Sequence, residues 1–389
     1  MTALQDLLDR GDRAGAQAAA TKQLATKPTD GEALSVLARL ALENGDVDTA
    51  RAQLARVGPK DRQSYEVQLA EAMVQQLSDQ GDSARLAFAQ LTAAHPTRHE
   101  GFFALGLSLL DKQDAKGAEK ALATATKLAP NHFLYRFRHA EALAQATRFE
   151  DAGTELLKAI ELKPDFTLAY TAFARMLEAS GQVPKALEFL DVGLSAVPND
   201  RRLLAEQVRL RMGTGDVKAA LANVDKAPGG ALGIAEELMR GNAHDAAIEL
   251  CDWLDANGNG SAKVTLVKAL ALENSAQTDE ALDAYAKAAT QDAADWSALS
   301  NRGLLLLETY QEEATKLDEA KANLDEAIKR AGGKAADPLL NLALLHGRRK
   351  QWAEAIAAAQ KVIAHPQAGA LKAQAEKMIV SMQKAMKQA

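Results

Sequence analysis

The chain has 389 residues, a net charge of −6 and an isoelectric point near 5.8. Hydrophobic residues make up 47% and charged residues 25%, so the chain can bury a core and is not of the disordered type. The acidic balance excludes a generally basic nucleic-acid footprint, and a single cysteine, Cys251, excludes a disulfide framework. Cys251 is expected to behave as a small buried apolar residue.

The opening residues MTALQDLLDRGDRAG show no basic stretch followed by an apolar run. No segment approaches the roughly 18 apolar residues of a membrane span. The expected location is cytoplasmic, or periplasmic if a signal peptide has been removed.

From Ala16 onward one residue type marks the chain. Ala16, Ala50, Ala84, Ala118, Ala152, Ala186 and Ala220 follow one another at intervals of 34 residues. Pro96, Pro130, Pro164 and Pro198 keep the same spacing. A fixed period in this range means stacked copies of one supersecondary unit. His99–Asn131 shows the unit most clearly. Phe102, Leu105, Gly106 and Leu109 fall on one helical face. A polar break at Asp111–Asp114 follows. Ala118, Leu122 and Ala125 then form a second helical face, and Pro130 ends it, because the residue before proline avoids the α region. The small residue of the first helix recurs as Ala38, Ala72, Gly106, Ala140, Ala174, Ala235, Ala269, Gly303 and Ala343, with Val208 as the bulkier exception. Gly11, Gly45, Gly181 and Gly215 lie five residues before the marker alanine, where a helix end wants positive φ.

This order of residues resembles the tetratricopeptide repeat, a 34-residue helix–turn–helix unit. The resemblance implies an all-α protein, a right-handed superhelical α-solenoid of about ten to eleven such units with a C-terminal capping helix. The frame slips after Ala220. Ala247 follows after 27 residues, Ala281 after 34, Ala320 after 39 and Ala355 after 35. The short step coincides with Pro228-Gly229-Gly230 and predicts a shortened unit. The long step carries Tyr310–Lys316, which predicts a lengthened helix or loop. The expected organisation is a regular array over 1–227, irregular units over 228–368 and a capping helix over 369–389. In the last segment Leu371, Met378, Ile379 and Met382 share one apolar face, and Lys372, Lys377, Lys384 and Lys387 suit the polar outside that a terminal cap needs.

Chemistry-bearing motifs are sparse. No phosphate-cradling glycine loop, HExxH or CxxC occurs, and the repeats leave little chain for a catalytic domain. His95 and His99 straddle Pro96 and are expected to be solvated turn residues rather than metal ligands. Asp255–Gly260 begins like a calcium loop, but its twelfth position is Leu266, so a helix-ending turn is the reading. No cofactor and no metal site are expected.

The resemblance further implies that the first helix of each unit lines a concave groove. The inward positions are Leu69, Met73, Phe103, Leu107, Leu110, Phe137, Arg138, Glu141, Arg175 and Arg209; a superhelical twist that shifts the set by about one position would instead make Phe103 and Phe137 packing between units. Apolar residues at such places lose solubility without a ligand, and arginine suits an acidic or carboxylate-bearing ligand. His132–His139 (HFLYRFRH) is rich in both aromatic and basic residues, with Arg136 in a slot where the family places a bulky core residue. The lysine/asparagine set of the family's chaperone-tail receptors is not matched by Phe103, Leu107, Arg138, Leu168 and Ala172. The expected function is a non-catalytic scaffold or adaptor for a protein or peptide partner. The alternative is a bacterial cell-envelope or secretion assembly factor acting outside the cytoplasm.

Overall fold

The computed structural model describes residues 3–78, 80–221, 224 and 227–388. Among the described residues there are helices and turns and no strand. They divide into two compact units, Met1–Ala196 and Val197–Ala389.

The first unit holds six helix pairs. These are α1 (Ala3–Asp9) with α2 (Arg13–Thr26), α3 (Gly31–Glu43) with α4 (Val47–Ala55), and α5 (Tyr65–Gln76) with α6 (Gly81–Ala94). Then come α7 (His99–Asp111) with α8 (Ala115–Leu128), α9 (Phe133–Gln145) with α10 (Phe149–Leu162), and α11 (Thr167–Ala179) with α12 (Val183–Ala196). The second unit has α13 (Arg201–Gly213) with α14 (Val217–Leu221), α15 (Gly230–Arg240) with α16 (His244–Ala256), and α17 (Ala262–Asn274) with α18 (Thr278–Gln291). It ends with α19 (Ser297–Thr309) and α20 (Ala314–Ala331), α21 (Asp337–Arg348) and α22 (Trp352–Ala364), and a closing α23 (Leu371–Gln388). Eleven pairs and a closing helix match the expected α-solenoid.

The marker alanines explain the stacking. Each lies in the second helix of its pair, and all eleven, from Ala16 to Ala355, are buried. The small residues of the first helices are buried as well. Small side chains at both places let the paired helices approach closely. The four marker prolines lie two residues beyond the ends of α6, α8, α10 and α12, where proline cannot continue a helix. Asp12, Asp46 and Asp114, four residues before a marker alanine, accept the N–H groups of Gly15 at 2.8 Å, Thr49 at 2.9 Å and Gly117 at 3.0 Å. Each such cap contributes about 1 kcal/mol.

In nine of the pairs the turn has a left-handed residue five before the marker alanine; in the lengthened α19–α20 pair that position, Thr315, lies inside the helix. Gly11, Gly45, Gly181 and Gly215 supply it with φ of 74–78°. Gln113, Thr147, Asn242, Ala276 and Lys350 occupy the same place with φ of 56–60°, without being glycine. The corresponding Asp79 lies outside the described residues. Left-handed backbone costs a side-chain-bearing residue about 1–2 kcal/mol, and a β-branched one suffers most. Thr147→Gly is therefore expected to stabilise the protein by about 1 kcal/mol. Gly181→Thr, at a site with open space around it, should lose a similar amount. Paired urea unfolding curves check both signs.

Irregularities fall where the frame slips, and at one further place. The helix α14 is described over five residues, and α15 starts at Pro228-Gly229-Gly230, whose two glycines have φ of 81° and 58°. The long step adds its residues chiefly to the N-terminal end of α20, which runs to 18 residues. The spacing gave no warning of a short α4. It has nine residues, where α2, α6, α8, α10 and α12 have 14 each. A loop over 56–64 replaces its end, so the 34-residue interval is kept. The closing helix α23 packs on α22 and α21. Ala375 and Met382 are buried, while Lys372, Lys377, Lys384 and Lys387 face out, as a cap requires.

Candidate functional site

Within the first unit the first helices of successive pairs touch each other, α3 with α5, α5 with α7 and α7 with α9, and no comparable contact joins successive second helices. The first helices α3, α5, α7 and α9 thus form one continuous layer. Links repeated across 36 residues lock this layer. The Tyr65 hydroxyl accepts the Gly101 N–H at 2.7 Å, and one pair further on His99 Nδ1 lies 3.0 Å from the Tyr135 hydroxyl. Arg98 lies over the Tyr65 ring at 4.1 Å and donates to Glu66 and Glu100, each at 3.0 Å. Burial pushes the Glu100 carboxyl up, but the hydrogen bond from Arg98 and the charge of His99 outweigh it and hold it below the usual range. Burial raises the Tyr65 phenol, which stays protonated.

Against this frame the predicted groove residues separate by register. Met73, Leu107, Glu141 and Arg175 are one position at 34-residue steps, and none of them is buried. They form a row across α5, α7, α9 and α11. Leu110 and Arg138 flank it, both half-buried. Arg138 Nη1 donates to Glu141 Oε2 at 2.8 Å, and its guanidinium lies 5.6 Å from the centre of the Phe137 ring. Arg175 is exposed. The row is apolar on α5 and α7 and charged on α9 and α11.

The positions four residues earlier, turned about 40° around the helix, face the next pair instead. Leu69 is 1% exposed and packs with Tyr65, Phe88 and Leu105. Phe137 is 4% exposed, with its ring 5.0 Å from that of Phe166. The structure thus removes Leu69 and Phe137 from the groove surface and gives them to inter-pair packing. Phe103, at the same position in α7, is half-buried and stacks on Tyr135 at 4.2 Å. Arg209 belongs to the second unit, where its Nη2 donates to the buried Glu206 at 2.8 Å.

The other sequence candidates resolve structurally. His95 and His99 are half-buried against tyrosines rather than solvated, the His95 ring lying 5.1 Å from Tyr65. Arg136 is paired, with Nη1 2.9 Å from Glu155 Oε2 and Nε donating to the Pro130 carbonyl at 2.8 Å. Asp255–Gly260 is a helix-ending turn with Gly258 at φ 76°, and Asp255 is taken by Lys287 at 2.6 Å. Cys251 is buried, and burial together with Asp252 and Asp255 pushes its thiol up to about 12. Among the described residues no three metal-ligating side chains cluster, and no helix is long and apolar enough to cross a membrane. A cavity of about 570 Å³, lined by Thr97, His99, Pro130, His132, Phe133 and Arg10, opens at the start of α7 and α9.

Among solved structures, the chain is similar to a tetratricopeptide repeat protein from Parabacteroides merdae, 12% identical, covering 76% of this chain and 97% of that one, with a TM-score of 0.44. It is also similar to Pseudomonas aeruginosa pilF, 17% identical, covering 54% and 96%, with a TM-score of 0.43. MamA is 18% identical, covering 43% and 95%, with a TM-score of 0.37. A curated relative, the protein STIP1 homolog of Dictyostelium discoideum, is 33% identical over 123 residues. That match takes in 31% of this chain and only 22% of the relative's length. Two family profiles, both described as tetratricopeptide repeat, match residues 7–74 and residues 69–133, 103–166 and 309–369. Together they take in more than half of the chain, and the chain belongs to the tetratricopeptide repeat family.

Proposed function

We propose that the protein is a non-catalytic scaffold that holds a segment of a partner protein along the first-helix face of its Met1–Ala196 unit. Tetratricopeptide repeats are generally protein-interaction modules. The observation that carries the reading here is the unburied row of Met73, Leu107, Glu141 and Arg175, laid on a frame held by Tyr65, Arg98 and Tyr135. Apolar contact on α5 and α7 supplies affinity. The charges on α9 and α11 supply orientation and partner choice. The partner is a chain with an apolar stretch followed by an acidic one. Ordering a flexible segment offsets much of the contact energy, so micromolar affinity is expected.

The test is quantitative capture of the partner by wild type and by the double variant Arg138→Glu, Arg175→Glu. Capture should fall about tenfold or more, since two attractive charges become repulsive. Undiminished capture removes the site assignment. Fractionation of the full-length gene product separates this reading from an envelope-assembly role, which requires export; recovery with the cytosol is the expected result.

A further inference from the structure

A second departure from the repeat lies on the other side of α5. At 34-residue steps, Gln68, Glu71 and Gln75 correspond to Phe102, Leu105 and Leu109 in α7 and to Tyr170, Phe173 and Leu177 in α11. Leu34, Leu37 and Ala41 hold the same places in α3. These positions ordinarily pack between helices. In α9 two of them are also polar: Arg136 is answered by Glu155 at 2.9 Å, while His139 Nδ1 lies 3.9 Å from that carboxylate and is buried without a hydrogen bond. On α5 nothing comparable answers. Gln68 reaches Gln63 at 2.8 Å. Glu71 has no ion-pair partner among the described residues. Gln75 Oε1 is buried without a hydrogen bond, a costly state for a polar atom.

The neighbouring helix departs from the pattern in concert. Because α4 stops at Ala55, the face of α5 beside it is uncovered. A cavity of about 470 Å³ remains, with Arg51, Arg62, Glu71, Gln75 and Ser78 in its walls. A second cavity of about 290 Å³ borders the same stripe on the α6 side. Arg51 donates to Ser78 Oγ at 2.6 Å, and Arg62, on the loop that replaces the end of α4, is exposed and forms no ion pair among the described residues. One wall of the notch thus presents donors and positive charge from α4 and its loop. The other presents acceptors and negative charge from α5.

We propose that this notch is a second protein-binding site, which takes a polypeptide segment carrying an acidic and a basic residue close together. A purely acidic ligand would satisfy the arginines but face Glu71, and a purely basic one would face Arg51 and Arg62. A mixed-charge segment satisfies both walls, and a main-chain N–H satisfies Gln75 Oε1. The stripe lies roughly opposite Met73 on α5, so the site is separate from the groove and does not depend on it.

The experiment uses the full chain and three fluorescein-labelled octapeptides in fluorescence anisotropy at low salt: alternating Glu-Lys, all-Glu and all-Lys. Wild type should bind the alternating peptide at least tenfold tighter than either of the others. Glu71→Lys should switch the preference to all-Glu, and Arg51→Glu with Arg62→Glu should switch it to all-Lys. Arg138→Glu with Arg175→Glu, which removes the groove's attraction for acidic chains, should leave the preference for the alternating peptide in place. Gln75→Leu, which installs the leucine that α7 and α11 carry, should raise the thermal midpoint while weakening the alternating peptide at least threefold. Equal affinity for the three peptides, an unchanged preference in Glu71→Lys, or full binding by a stabilised Gln75→Leu would overturn the site.

Discussion

Gly106→Ala is expected to destabilise the Met1–Ala196 unit by about 2 kcal/mol, by overpacking. Alanine is the better helix former, by roughly 0.5–1 kcal/mol, so the sign is decided by packing. A Cβ built on Gly106 would lie 2.4 Å from Leu122 Cγ and 2.8 Å from Cδ2. Leu122 is fully buried and has nowhere to turn. The contact is also with the branch point of the side chain rather than its flexible end. Gly303 meets Leu324 Cγ at 2.8 Å in the same way. Neighbouring pairs tolerate Ala72 and Ala140 at this place. Gly213→Ala is the control. No atom lies within 4 Å of the Cβ that this helical glycine would gain, so the substitution should stabilise by about 0.5–1 kcal/mol. Urea unfolding of both variants reads the opposite signs. A double-mutant cycle with Leu122→Ala should show strong coupling, since removing the leucine makes room for the added methyl.

Acid should weaken the protein in part through one carboxylate. The side chain of Glu155 is 12% exposed and faces Arg136 and Lys158, each at 2.9 Å, with His139 close by. Burial pushes its carboxyl up, but the hydrogen bonds from Lys158 and Arg136, with the His139 ring 3.9 Å away, prevail and bring it down to about 2 from 4.5. The folded state thus holds this proton less tightly than the unfolded chain. The stabilisation is fully present above about pH 4.5 and is lost as pH falls towards about 2. After allowance for solvent screening it amounts to about 2 kcal/mol. Glu155→Gln should therefore lose about 2 kcal/mol or more at pH 6, because it also leaves Arg136 half-buried without its counter-charge. At pH 3 the gap between wild type and variant should shrink by about half. The difference between the two proteins isolates Glu155 from the other carboxylates that titrate in the same range. An equal gap at both pH values would assign the loss to packing alone.

The architecture was legible because the same constraint recurs at each step. A stacked helix pair needs a small residue at its closest approach, so Ala16 to Ala220 fall at one spacing, and Pro96 to Pro198 follow because each second helix must stop. What escaped the sequence has no periodic signal. The loop over 56–64 takes up the residues lost from α4, so Ala50 and Ala84 keep their interval and hide the change. The left-handed turn is visible where Gly45 or Gly181 supplies it and invisible where Gln113 or Thr147 does, since neighbouring contacts there override the residue's own preference. Of the groove positions, Leu69 and Phe137 are buried, Phe137 in keeping with the shifted register that the sequence left open. Leu69 is large and apolar like Met73 four residues on, so on α5 only the 40° between the two rows decides which packs on the next pair. Arg136 stands out in a slot of bulky core residues, but its partner Glu155 lies on α10, 19 residues away, at a spacing that no local pattern reports.

The groove is tested most directly by photo-crosslinking. A benzoylphenylalanine placed at Leu107 or Glu141 in the full chain should form a covalent adduct with the partner in cells. The same probe at Lys120, exposed on the second helix α8, should form none. Adducts from 120 as strong as those from 107 and 141, or from 120 alone, would contradict a partner lying along the first-helix row.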